Sequence, residues 1–105
     1  MKTPKILNHL DRESICYLES SINYTLFFFE NGTRIVSGYN IKFFEEILSN
    51  DAFVKVNRSK LVNVAFIRKT FVNQNNYAVQ LVNGEEINIS RRRLNKIKEE
   101  YPMMF

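Results

Sequence analysis

The 105 residues are 45% hydrophobic and 13% aromatic, enough apolar surface for one folded core over 1–105, which excludes a disordered chain. The formal net charge of +4 is unevenly placed: residues 1–51 carry five Lys or Arg against seven Asp or Glu, whereas residues 52–98 carry ten against only Glu85 and Glu86. No acid lies between Asp51 and Glu85, and a basic half of this kind fits a polyanionic partner as well as a plain solvated face.

In chain order, the segment 14–19 predicts a first strand, with Cys16 in the apolar run Ile15-Cys16-Tyr17-Leu18 as a small buried hydrophobe. The aromatic-rich segment 24–29 predicts a second strand, in which Phe27, Phe28 and Phe29 put bulk on both faces and so fill a core on both sides. Asn31-Gly32 is a strong hairpin signal, and 33–37 returns from it. From 40 to 48 the period changes: Ile41, Phe44 and Leu48 fall at helical spacing, and Ser49-Asn50-Asp51 ends the helix.

Residues 53–56 alternate imperfectly, Phe53 and Lys55 to one side and Val54 and Val56 to the other, as in a strand covered on both faces. Strands are predicted over 67–72, 77–82 and 85–89, joined by the polar turn Asn73-Gln74-Asn75-Asn76 and a second Asn-Gly turn at Asn83-Gly84. Ser90 is placed to cap a last helix whose Leu94, Ile97 and Tyr101 share a face, and Pro102 stops it.

Two polar, cationic tracts interrupt this apolar grammar: Asn57-Arg58-Ser59-Lys60-Leu61-Val62-Asn63 and Ser90-Arg91-Arg92-Arg93. Arg and Lys bind phosphates, Arg also reads guanine edges, and Asn and Ser serve either purpose. Three arginines at a helix start oppose the helix dipole by a few tenths of a kcal/mol or more each. Anion binding explains them, because free helical N–H groups and guanidinium groups converge there. The plain alternative is pairing with Glu85, Glu86, Glu99 or Glu100. Asn63 is expected to bond the backbone of an irregular turn, Ser59 can cap its own turn, and Tyr24 can close the core edge. His9 is expected at the surface.

One His, one Cys and three Gly leave no metal-ligand spacing and no glycine-rich phosphate loop. The adjacent pairs Glu45-Glu46 and Glu99-Glu100 diverge on their helices. Neither an enzyme nor a cofactor is expected. No run approaches the roughly twenty apolar residues of a membrane span. The basic start Met1-Lys2-Thr3-Pro4-Lys5 has no apolar signal segment after it, so the cytoplasm is the expected compartment.

From about residue 15 to 97 the chain resembles the LytTR-type DNA-binding domain of bacterial response regulators. The resemblance rests on Ile15-Cys16-Tyr17-Leu18-Glu19-Ser20 with Asn23-Tyr24, on Gly32, and on the helix 43–48. It continues through Phe53-Val54-Lys55-Val56-Asn57-Arg58-Ser59, Leu61-Val62-Asn63 and Ile67, and then Leu81, Asn83-Gly84, Ile87 and Ser90-Arg91-Arg92. It implies a mainly β, elongated layered fold of about ten short strands with one or two short helices.

It also implies a transcription regulator whose loops enter successive major grooves of double-stranded DNA, at repeated sites and with a homodimer on DNA as one arrangement. The implied contact positions are Asn23 and Tyr24; Asn57, Arg58, Ser59 and Lys60; and Ser90, Arg91, Arg92 and Arg93. Arg58 and Arg92 are expected to read bases in separate grooves, and Lys60, Arg91 and Arg93 to hold phosphates. Asn57 and Tyr24 depart from histidines that family members use. No phosphoacceptor receiver lies within these residues, which suits a free-standing regulator or a domain of a longer one. A protein-interaction module and a single-stranded nucleic-acid binder remain as alternatives.

Overall fold

The computed structural model describes residues 12–48 and 52–105. His9, the basic N-terminal segment and the helix stop at Ser49-Asn50-Asp51 lie outside the described residues. Eight strands form two antiparallel sheets. The larger sheet is built from β1 (Ile15–Ser21), β2 (Tyr24–Phe29), β3 (Arg34–Ser37), β4 (Phe53–Asn57) and β5 (Lys60–Asn63), in the order β3-β2-β1-β5-β4. The smaller contains β6 (Ile67–Asn73), β7 (Asn76–Leu81) and β8 (Glu86–Asn88), in chain order. Two helices, α1 (Ile41–Ile47) and α2 (Arg91–Glu100), complete a body of 39 × 26 × 25 Å. The fold is mainly β and layered, as expected, with eight strands among the described residues against the roughly ten implied by resemblance.

The larger sheet is covered on both faces. On one side Leu18, Phe27, Phe29, Phe53 and Leu61 pack against Ile41, Phe44 and Leu48 of the α1 segment. On the other, Tyr17, Val54, Val56 and Val62 meet Val79, Leu81 and Ile87 of the smaller sheet, with Ile97 of α2. Period-two alternation explains the division: Phe27 and Phe29 face α1, while Phe28 faces the other way and stacks on Tyr17 at 4.4 Å. Phe53 and Val54 part in the same manner. Ile15, Tyr17, Phe44, Leu48, Val62, Leu81 and Ile87 are buried as their periodic placement predicts. Phe28 is only half-buried: besides its stack on Tyr17, its ring is approached by the Arg34 guanidinium, 5.8 Å from the centroid.

α1 is too short to persist alone. Asn40 caps it, its Oδ1 accepting the Phe43 N–H at 2.9 Å, and Phe44 anchors it edge-on against Phe27. The two Asn-Gly hairpins use one solution. Each is a three-residue loop, with Gly32 (φ +88) or Gly84 (φ +91) left-handed where a side chain would strain the backbone. The preceding Asn31 or Asn83 Oδ1 accepts the N–H two residues on.

β5 falls within the polar, cationic tract 57–63, to which the sequence assigns no strand. Lys60–Asn63 is a central strand between β1 and β4, with Leu61 and Val62 buried on opposite faces. The two-residue turn Arg58-Ser59 before it contains no glycine or proline to announce it. Asn63 is structural: its Nδ2 donates to the Ile15 carbonyl at 2.9 Å, and its Oδ1 accepts from the Ala65 N–H at 3.0 Å.

Cys16 is 4% exposed, and burial, then Glu30 and Glu85, push its thiol above the ordinary range. Since the thiolate is the reactive species, a thiol reagent at neutral pH should label the folded chain on the order of a hundredfold more slowly than the unfolded one. Equal rates in the presence and absence of denaturant would contradict this burial.

Candidate nucleic-acid interface

The sheet order gathers the sequence-predicted positions at one end of the molecule. β1 and β5 run antiparallel with Glu19 opposite Lys60, and the Ser20 N–H donates to the Ser59 carbonyl at 2.7 Å. The β1–β2 turn, Ile22-Asn23, therefore lies at the same sheet end as the β4–β5 turn, Arg58-Ser59. With strands about 4.8 Å apart and two strand steps between the turn centres, their backbones are separated by about 10 Å. Asn23 is exposed with φ 70, a conformation that asparagine tolerates better than most residues, and Tyr24 beside it is 39% exposed.

The α2 start joins this end through the Ser90 N–H, which donates to the Val56 carbonyl at 2.8 Å. Ser90 also caps the helix, its Oγ accepting from the Arg93 N–H at 3.3 Å. Asn57 ties the two segments together. Its Nδ2 donates to the Asn88 carbonyl at 2.8 Å, and its Oδ1 accepts from both the N–H and the hydroxyl of Ser59, at 3.0 and 3.1 Å. Asn57 and Ser59 use these groups to shape the turn that presents Arg58, and Ser59 caps its own turn as one of the two sequence readings had it.

The result is an open cleft lined by Lys55, Arg58, Ser90, Arg92 and Arg93. Four of these five residues are cationic and none is acidic. Arg58, Arg91 and Arg92 are exposed and form no ion pair among the described residues. The first turn of α2 contains no acid, so its free N–H groups and positive dipole end add to the guanidinium charges. Arg58 and Arg92 line one cleft, because the Ser90–Val56 hydrogen bond brings the α2 start beside the end of β4.

Two other cations are less free than the sequence implied. Lys60 Nζ lies 2.9 Å from Glu19 Oε1, a consequence of the β1–β5 register. Arg93 contacts Glu45 at 3.9 Å, and Lys55 contacts the same carboxylate at 3.8 Å. Among the described residues the arginine triplet thus takes none of the acidic partners considered from sequence, and its one ion pair there is to Glu45 of α1. Sequence reasoning missed Lys55 as a wall of the cleft. The available signal was its cationic side chain in an otherwise apolar strand. Arg68 and Lys69 lie on β6 in the other sheet, Lys96 contacts Glu100, and Lys98 covers the Tyr77 ring, so the basic half does not converge as a whole.

No described helix is long and apolar enough to cross a membrane. No curated protein matches the chain. Among solved structures, it is similar to the LytTr DNA-binding domain of a protein from Bacillus cereus described as a methyl-accepting/DNA response regulator. The TM-score is 0.78 at 23% identity, with 86% of this chain and 83% of that one covered. At that identity the likeness is one of fold. The family model of the LytTr DNA-binding domain matches residues 7–101, nearly the whole length, and the chain belongs to that family.

Proposed function

We propose that residues 1–105 act as one sequence-specific duplex DNA-binding domain of a transcription regulator, with the cleft end facing a major groove. The observation that carries this reading is the acid-free cleft between the β4–β5 turn and the α2 start. In it, Arg58 and Arg92 read base edges. Arg91, Arg93 and the α2 N–H groups hold phosphates, and Asn23 and Tyr24 approach the same DNA from the neighbouring turn. Lys60 contributes weakly through its pair with Glu19. Repeated sites occupied by two copies belong to the same proposal. Single-strand binding is less well supported: Phe27, Phe29, Phe44, Phe53 and Phe66 are buried, and among the described residues no aromatic side chain lines the cleft.

The test is binding of Arg58→Ala and Arg92→Ala to single-base variants of a duplex selected from a random pool. Each bidentate Arg–guanine contact gives roughly 1–3 kcal/mol of discrimination, so each variant should lose base preference at one part of the site while keeping most of its nonspecific affinity. The two affected positions should be close together, since the arginines share a cleft. Arg58→Lys should not restore preference, because an ammonium lacks the planar fork. Equal losses on every sequence would make both residues phosphate contacts. Tighter binding to a single-stranded competitor, or to an acidic protein alone, would overturn the duplex reading.

A further inference from the structure

The β1–β2 turn carries a large apolar side chain exposed at its tip. Ile22 is the first of two residues between Ser21 and Tyr24 and is 84% exposed, while the left-handed position of the turn is taken by Asn23 at φ 70. A single apolar side chain on a protein surface is ordinary. Ile22, however, stands at the tip of a turn at the same sheet end as the acid-free cleft. The Ser20–Ser59 hydrogen bond fixes it relative to Arg58. Its neighbours Ser21, Asn23 and Tyr24 are polar or amphipathic and also exposed, so no protein surface covers it.

We propose that Ile22 is a specificity-determining residue that packs against the C5-methyl group of a thymine in the major groove engaged by Arg58. This rests on the proposed DNA binding and deepens it. The thymine methyl is the apolar group that a base pair presents in the major groove, and protein apolar side chains recognise it by contact. An exposed β-branched side chain at a turn tip matches that target: it is short, has few rotamers to lose, and gains by leaving water. The turn separation of about 10 Å corresponds to about three base-pair rises of 3.4 Å, so the thymine should lie about three base pairs from the guanine read by Arg58.

The test uses the duplex selected from a random pool, with each thymine replaced in turn by deoxyuridine, which removes only the methyl group. The wild-type chain should lose about three- to tenfold in affinity at one position, on the scale of one buried methyl or slightly more. Ile22→Ala should bind the thymine and deoxyuridine duplexes alike at that position. Being exposed, it should melt at the wild-type temperature. Arg58→Ala should retain the methyl effect. If no deoxyuridine substitution weakens the wild type, or if Ile22→Ala keeps the same loss, the inference fails while DNA binding stands. A uniform loss on all duplexes with altered self-association would assign Ile22 to a contact between copies and also overturn it. Absence of salt-sensitive duplex binding by the wild type would remove the functional proposal and this inference together.

Discussion

Raising the salt concentration fourfold should weaken duplex binding by roughly 40- to 150-fold, the expectation for three or four neutralised phosphates at a slope of about −0.9 each. The cations that carry this effect are unequal. Arg91 is exposed and forms no ion pair among the described residues, so Arg91→Ala should flatten the slope of log affinity against log salt by close to one contact. Lys60 already faces Glu19 at 2.9 Å, and its charge is partly neutralised before DNA arrives. Lys60→Ala should change the slope much less than Arg91→Ala, although sequence alone would rank the two equally. Titrations of wild type and both variants over a salt series check this by fluorescence anisotropy. A salt-independent binding constant would remove the electrostatic mechanism, and a larger effect at Lys60 than at Arg91 would contradict the assigned roles.

Phe44→Ala should destabilise the fold by roughly 3–5 kcal/mol, the range for deleting a buried aromatic ring. Phe44 is fully buried, packs edge-on against Phe27 at 4.7 Å, and is the main anchor of the α1 segment to the sheet. A domain of this size is stable by only about 5–15 kcal/mol, so the thermal midpoint should fall by roughly 12–40 °C. Circular dichroism melts of the wild type and the variant measure it. The loss should also be felt at the cleft, because α1 carries Glu45, which contacts both Lys55 and Arg93. A fall of only a degree or two would mean that α1 is not held as described.

Many elements were legible because their signals are local. Asn31-Gly32 and Asn83-Gly84 mark turns through backbone conformations that glycine alone adopts without strain, and Ser90 caps its helix through a bond spanning three residues. The imperfect alternation of residues 53–56 correctly indicated cover on both faces, since burial on either side of a strand depends on its own side chains. The family resemblance added the short list of candidate contacts, which could be drawn up without knowing how they meet.

What the sequence determined by itself was the run of strands and capped helices, the two-sided core and the basic second half, all consequences of spacing and composition along a few residues. The tertiary structure alone decided that β5 is a central strand, that Lys60 faces Glu19, that Asn57 braces a turn, and that Arg58 and Arg92 share one cleft. The physical reason is sequence separation. Glu19 meets Lys60, Asn57 meets Asn88 and Val56 meets Ser90 only through the strand order β3-β2-β1-β5-β4 and the docking of the second sheet and α2, which depend on burying both faces of the larger sheet at once.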